Sequence, residues 1–399
     1  MKDQLAKLEE GLRSRALVNP ASGANLVDLA LAIARSCGSG PAAATEGARW
    51  VEELLDRPEH LVVFLVDGLG DAQLANLPEA AFLRRQRVGR LHSVFPSATA
   101  AALTSLATAE WPARHGAVGW WVYLPARGFS VVTLPFARRS DGEPLEKLGI
   151  APEEVFLMPS YWEHLGHRPM AVLPEALVAS LPSRHLRAGA PALAYESLQG
   201  AAEQVVQRVL KASHPTLTYV YFPALDTLEH ELGPAHPDCI EALTLVDRVL
   251  EETATALRGR ARLVVTGDHG QVSPEPKHRH IIQANDPLLQ HLRCLPTGEP
   301  PVPIFHLRPE KEAAAAFTAA FLERFGESFA LCSADELAAL GLFGPSAPTP
   351  TVRERLGDFL AVPLLPAAFF SVQGSQEKTP VGVHGGLTPA EVEVPLIVA

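Results

Sequence analysis

Cysteine is scarce in this sequence and never paired. Cys37, Cys239, Cys294 and Cys332 lie far apart with no C-x-x-C spacing, which excludes a disulfide framework and a thiolate zinc site. A long apolar run is missing as well. The best one, 359–372, is broken by Pro363 and Pro366 and falls short of the roughly 20 residues a spanning helix needs. The opening Met1-Lys2-Asp3-Gln4-Leu5-Ala6-Lys7-Leu8 has no apolar core of the kind a secretion signal carries. Positive charge is in deficit too. Lys+Arg number 34 against 45 Asp+Glu, a formal net charge of −11, whereas a protein that grips a nucleic-acid polymer shows a basic footprint. These absences together give the expectation of a soluble, cytoplasmic protein with reduced thiols, and neither membrane nor nucleic-acid polymer as partner.

What is present is a large core. Hydrophobic residues make up 47% of 399 positions and charged residues 20%, enough for two to three units at about 150 residues each. Leucine and alanine at three- and four-residue spacing predict helices over 4–15, 25–36 and 46–56. The run His60-Leu61-Val62-Val63-Phe64-Leu65-Val66, closed by Asp67-Gly68, reads as a strand buried on both faces, the mark of a parallel sheet. Similar runs at 217–222 and 261–266 alternate with helical patterns at 195–212 and 239–257. The fold class expected is therefore α/β, with a mostly parallel central sheet flanked by helices. Stretches 118–190 and 272–345 are less regular. The second reads as a strand at 303–307, a helix at 310–324, a strand at 328–332 and a capping box from Ser333 to Glu336. The organisation expected is a helical segment over 1–57, a core over 58–271 and 346–399, and a small inserted α/β subdomain over 272–345.

Several motifs fail on a named residue. Gly68-x-Gly70 follows a strand, but the third position of a dinucleotide fingerprint is Gln73. No phosphate loop and no G-x-S-x-G elbow occurs. His230-Glu231 begins like a zinc-protease helix, yet Gly233-Pro234 would break that helix before His236. Cys294-x-Pro296 starts a sulfatase-like signature, but position 298 is glycine.

One constellation survives. Asp67, Asp226 and the pair Asp268-His269 each follow a buried strand. Ligands of parallel sheets bind in the crevice beyond the carboxyl ends of the strands, so the three positions should converge. His230, four residues after Asp226, and His384, in Val383-His384-Gly385-Gly386, join them. Each alone has an ordinary reading: a turn former, a solvated helix pair, a loop histidine. Three carboxylates and three imidazoles suit zinc and neighbouring divalent ions, and they divide well between two ions of the kind that clamp an in-line phosphoryl displacement. Thr99 begins a run of small residues, where a helix N-terminus would favour an oxyanion; as a single residue it reads as a cap. Ser97 and Ser93 are rival hydroxyls.

With those blocks in hand, the chain resembles the nucleotide pyrophosphatase/phosphodiesterase branch of the alkaline-phosphatase superfamily. The resemblance rests on Val66-Asp67-Gly68, Pro96-Ser97-Ala98-Thr99, Trp111-Pro112-Ala113-Arg114-His115-Gly116, Asp226-x-x-x-His230-x-x-Gly233-Pro234, Gly267-Asp268-His269-Gly270 and His384-Gly385-Gly386. It implies two zinc ions, one held by Asp226, His230 and His384, the other by Asp67, Asp268, His269 and the Thr99 oxygen. It also implies a phosphothreonine formed on Thr99 and a small phosphate-ester substrate, nucleotides among them. His115-Gly116 reads as a turn. An asparagine contacting the phosphoryl group is expected three residues past the nucleophile, and Ala102 stands there; Lys277, His278 or His280 are candidates to replace it. Phosphonate hydrolysis, phosphomonoester hydrolysis and metal-dependent binding without turnover are the alternatives on this scaffold.

Overall fold

The structure is a computed structural model describing residues 2–40, 44–310, 312–372 and 378–399. Seven strands make the central sheet: β1 (His60–Val66), β2 (Arg87–His92), β3 (Arg168–Pro174), β4 (Ala192–Tyr195), β5 (Thr216–Phe222), β6 (Arg262–Thr266) and β7 (Glu393–Val398). Their order is β2-β7-β6-β1-β5-β3-β4. Strands β6, β1, β5, β3 and β4 run parallel, and β7 is reversed against both its neighbours. All seven residues of β1 are buried, as its unbroken apolar run demands.

Alternation along β1 divides the core into two layers. Leu61, Val63 and Leu65 face helices Leu26–Ser36, Glu46–Leu55 and Thr99–Thr108, while Val62, Phe64 and Val66 face helices Leu198–Lys211 and Pro237–Leu257. The mostly parallel α/β sandwich is thus as expected. Helix Leu26–Ser36 opens on a capping box in which Asn25 and Asp28 satisfy each other's backbone N–H. The box from Ser333 to Glu336 also forms, ahead of helix Ala334–Ala339.

A second seven-stranded sheet lies beside the first, in the order Phe329–Ser333, Phe359–Pro363, Pro303–Phe305, Thr297–Gly298, Trp121–Leu124, Phe129–Val132, Ala137–Arg138. Its strands come from both irregular stretches and from beyond residue 345, joined where Gly298 pairs with Trp121. The broken apolar run resolves into the strands Phe359–Pro363 and Ala368–Val372, and no helix among the described residues is long and apolar enough to cross a membrane.

Candidate two-metal site

Every site residue read from the sequence arrives at one edge of the central sheet. Asp67 follows β1, Asp226 lies in the first turn of helix Ala224–Leu232 after β5, and Asp268-His269 follows β6. Those three strands are adjacent, so their carboxyl ends lie side by side. The close packing is made possible by glycine: a Cβ on Gly267 would stand 2.2 Å from the Leu69 carbonyl, and one on Gly270 2.1 Å from that of Ala390. Gly68 has φ of +81°, and a Cβ there would stand 3.0 Å from the Asp226 α-carbon.

Thr99 is the first residue of helix Thr99–Thr108, and the capping position belongs to Ala98, whose side chain offers no cap. The helix's first N–H groups therefore have no partner in the helix. Thr99 Oγ1 instead lies 3.0 Å from His269 Nε2. The rival hydroxyls are committed elsewhere. Ser97 Oγ donates to the Gly386 carbonyl at 2.8 Å, Ser93 Oγ donates to that of Asp268, and both side chains are fully buried.

Around His269 Nε2 stand Asp67 Oδ1 at 3.5 Å and Asp268 Oδ2 at 3.4 Å. Both oxygens are buried and lack any hydrogen-bond partner among the described residues, an arrangement that costs free energy unless a cation is supplied. Their companion oxygens are occupied: Tyr221 donates its hydroxyl to Asp67 Oδ2, and Asp268 Oδ1 accepts from the N–H of Gly68 and of His269, each at 3.1 Å. In the neighbouring group, Asp226 Oδ2 lies 3.4 Å from His230 Nε2, Asp226 Oδ1 lies 3.8 Å from His384 Nε2, and the two imidazole Nε2 atoms are 3.3 Å apart. Asp226 also accepts from Gln271 Nε2. His269 stacks on His384 with centroids 3.6 Å apart, so it stands in both clusters of metal-competent groups, Asp67/Asp268/His269 and Asp226/His269/His384.

The histidine tautomers follow from their partners. Nδ1 of His230, His384 and His269 each meets a backbone carbonyl, of Gly382 at 2.8 Å, Ser97 at 3.1 Å and Gly270 at 3.3 Å. A carbonyl only accepts, so Nδ1 carries the hydrogen and all three Nε2 lone pairs point at the site. Burial reinforces this. It drives His269 down to about 3 and His384 well below its ordinary value, keeping both rings neutral. The acids move the other way. Burial, then the neighbouring carboxylates, pushes Asp67 far up, burial and Asp226 push Asp268 up to about 7, and burial raises Asp226. Three crowded acids and three imidazoles whose Nδ1 atoms face carbonyls fit two divalent cations, whose charge reverses this crowding.

Several supporting groups carried no signal in the sequence. Tyr221 and Gln271 orient Asp67 and Asp226. Glu299, from the 272–345 stretch, is buried beside Gly385 and accepts the Trp120 N–H at 2.6 Å; burial lifts it to about 8. Glu391 accepts from Gly386 N and from Thr388, bracing the loop that bears His384. The expected stand-ins are elsewhere: Lys277 pairs with Glu275, while His278 and His280 share Ser328. Ala102 is fully buried in the core layer with the helix's other apolar residues and carries no donor for a phosphoryl oxygen. His115 is buried, accepts the Ala117 N–H on Nδ1 and bonds Ser105 through Nε2; it ends the short helix Pro112–His115, which Gly116 closes at φ of +70°.

Solved structures share this architecture. An inactive form of murine ectonucleotide pyrophosphatase/phosphodiesterase 5, in complex with AMP, matches with a TM-score of 0.63 at 18% identity, over 84% of this chain and 87% of that one. The human protein gives 0.63 at 16%, over 85% and 87%. Phosphonoacetate hydrolase from Sinorhizobium meliloti 1021, in complex with phosphonoformate, gives 0.59 at 21%, over 86% and 90%. No curated protein sequence matches. The model of the type I phosphodiesterase/nucleotide pyrophosphatase family matches residues 61–387, most of the chain, with Thr99 and all six candidate metal ligands inside the match, and the protein belongs to that family.

Proposed function

We propose that the chain is a two-metal phosphodiesterase in which Thr99 is the nucleophile. The observation that carries this reading is the ring of oxygens about His269 Nε2: Thr99 Oγ1, Asp67 Oδ1 and Asp268 Oδ2, two of them buried without a donor. Asp67, Asp268, His269 and Thr99 would hold one ion, and Asp226, His230 and His384 the other. The Asp/His donor set suits zinc, and such a pair supplies Lewis acidity to phosphoryl oxygens and a water activated at neutral pH.

The chain's own groups do the rest. Thr99 Oγ1 sits at the mouth of a ten-residue helix, whose free N–H groups and positive end favour the oxygens of a phosphoryl group held there. Its oxygen attacks phosphorus, the bond to the leaving alkoxide breaks opposite, and the threonine proton ends on the departing alcohol. Water then cleaves the phosphothreonine and restores the hydroxyl. Two in-line displacements give net retention at phosphorus. The His269, His230 and His384 rings are held in one orientation by carbonyls on Nδ1, which keeps the Nε2 lone pairs in place through the cycle.

The test is hydrolysis of bis-p-nitrophenyl phosphate and p-nitrophenyl phosphate by zinc-loaded wild type and Thr99→Ala. The diester should be the better substrate, and the variant should be silent on both. Equal activity of the two proteins removes Thr99 from the chemistry. Tight metal and ester binding with no turnover in wild type supports the non-catalytic reading instead. The resemblance to phosphonoacetate hydrolase makes a phosphonate the second substrate class to assay.

A further inference from the structure

A cavity of about 470 Å³ opens beside Asp67, Thr99 and Asp226 and runs back into the core layer between the central sheet and helix Thr99–Thr108. Its size lies within the usual range of ligand sites. One wall is the face of the helix carrying Thr99, Leu103, Leu106 and Ala107; the facing wall includes Leu217, Tyr219 and Tyr221 of β5. Both walls fix its depth. From position 99 to position 107 a helix rises about 12 Å, and from 221 back to 217 a strand covers roughly 13 Å. The cavity is therefore a channel that starts at the hydroxyl of Thr99 and penetrates the hydrophobic core.

Several of the polar groups along it are committed to protein partners. The Tyr221 hydroxyl donates to Asp67, and Thr227 Oγ1 donates to the Pro223 carbonyl. Ser180 Oγ bonds Ser183 Oγ and caps the helix that follows. Arg187 gives Nε to the Ala190 carbonyl and Nη2 to that of Val178, leaving Nη1 without a partner among the described residues. Tyr161, Tyr219, Trp120 and Trp162, large rings with one polar atom each, complete the lining. A nucleobase and ribose carry many donors and acceptors, and burying them without partners is costly. A linear hydrocarbon carries none, and each methylene transferred to such a channel adds about two- to fourfold in affinity.

We propose that the group esterified to the phosphate is a linear aliphatic chain of about eight to ten carbons, lodged in this channel with its phosphate at Thr99. The inference rests on the phosphodiesterase reading and narrows its substrate class from nucleotides to phosphate esters of fatty alcohols.

Two measurements on zinc-loaded, full-length protein decide it. The first is kcat/KM on the methyl, butyl and octyl diesters of p-nitrophenyl phosphate, below micellar concentrations. The value should climb with chain length and reach at least about 100-fold from methyl to octyl. Ala107→Phe, which pushes a ring into the channel, should cut that ratio to under about tenfold; Leu103→Phe is the second blocking variant should the first fail to fold. The second measurement is calorimetric binding of octyl phosphate, methyl phosphate and AMP. Octyl phosphate should bind at least about 100-fold more tightly than methyl phosphate and more tightly than AMP. Octyl and methyl esters hydrolysed within threefold of each other, or AMP binding more tightly than octyl phosphate, would overturn the proposal. If no ester is turned over, the hydrolase reading fails, and the binding order alone then decides what the channel holds.

Discussion

Nε2 of His230 and Nε2 of His384 face each other across 3.3 Å, close enough for both to meet one cation. Each ring's Nδ1 is committed to a carbonyl, of Gly382 and of Ser97, so two lone pairs meet with Asp226 beside them. A metal ion bound between them and Asp226 makes that arrangement favourable. Removing metal with a chelator should therefore lower the thermal midpoint, and zinc should restore it. At a hundredfold excess over Kd a single site contributes about 2.7 kcal/mol, a rise of several degrees for a chain of this size. His384→Ala should reduce the zinc-dependent rise and lower bound zinc toward one ion per chain, read by calorimetry and elemental analysis. An unchanged rise would remove His384 from the metal set.

The Thr99 hydroxyl touches His269 and is not a helix cap, so its loss should affect chemistry far more than folding. Thr99→Ala is expected to reduce turnover of a diester by about 1,000-fold or more while leaving the melting curve of the metal-free protein within about 0.5 kcal/mol of wild type. Thr99→Ser keeps the oxygen and should retain measurable turnover. Phosphate trapped on residue 99 after acid quench, seen by mass spectrometry, reports the intermediate directly.

How far the sequence reaches is clear at this edge of the sheet. Strands β1, β5 and β6 are unbroken apolar runs because helices cover both their faces, and that burial pattern is local enough to be read directly. The residues just past each run had to lie at the carboxyl edge, so Asp67, Asp226 and Asp268, one, four and two positions beyond their strands, are legible as one cluster. The second sheet is not legible in the same way. Thr297–Gly298 is two residues long, and its partners, at Trp121 and at Ile304, lie on different elements. Pairings across such sequence distances leave no periodicity behind. Glu299 reaches the site only through that sheet.

Tyr221 is the clearest residue that acts through another. Its hydroxyl holds Asp67 Oδ2, leaving Oδ1 turned toward His269. Tyr221→Phe should keep the fold and weaken metal affinity or activity by about 10- to 100-fold, the usual cost of losing such a contact. The stringent readout is zinc affinity measured by competition with a chelating dye. Unchanged affinity together with unchanged turnover would assign Tyr221 a packing role only.

The two glycines around Asp268-His269 are required by space. A methyl group on Gly270 would stand 2.1 Å from the Ala390 carbonyl and 2.8 Å from the α-carbon of Gly70, all of it backbone. No flexible side chain is available to give way. Gly270→Ala should therefore destabilise the protein by more than about 3 kcal/mol and appear in the insoluble fraction. A soluble variant with a normal melting curve would show that these backbones separate more readily than their packing indicates.

The acids of the site make metal-free stability depend on pH, and the sign can be worked out group by group. Asp268 is raised to about 7, Glu299 to about 8 and Glu229 to about 9, with burial the leading cause in each. Asp67, crowded by the same burial and by Asp268 and Asp226, is raised well above its ordinary value too. An acid whose pKa is higher folded than unfolded binds its proton more tightly in the native state, so raising the pH between the two values destabilises the fold. The buried histidines act oppositely. His269 at about 3 and His384, also depressed, add stability as pH rises from about 3, and that contribution is complete above their unfolded value of roughly 6.5. Below pH 6.5 the two effects oppose each other; above it only the acids remain. The melting temperature of the metal-free protein should therefore fall steadily from pH 6.5 to 9. Zinc, by stabilising the ionised carboxylates, should flatten or reverse that slope. Parallel scans of both forms across this window provide the check. A metal-free curve that stays level would mean that Asp67 and Asp268 are not the uncompensated acids that their orphaned oxygens indicate.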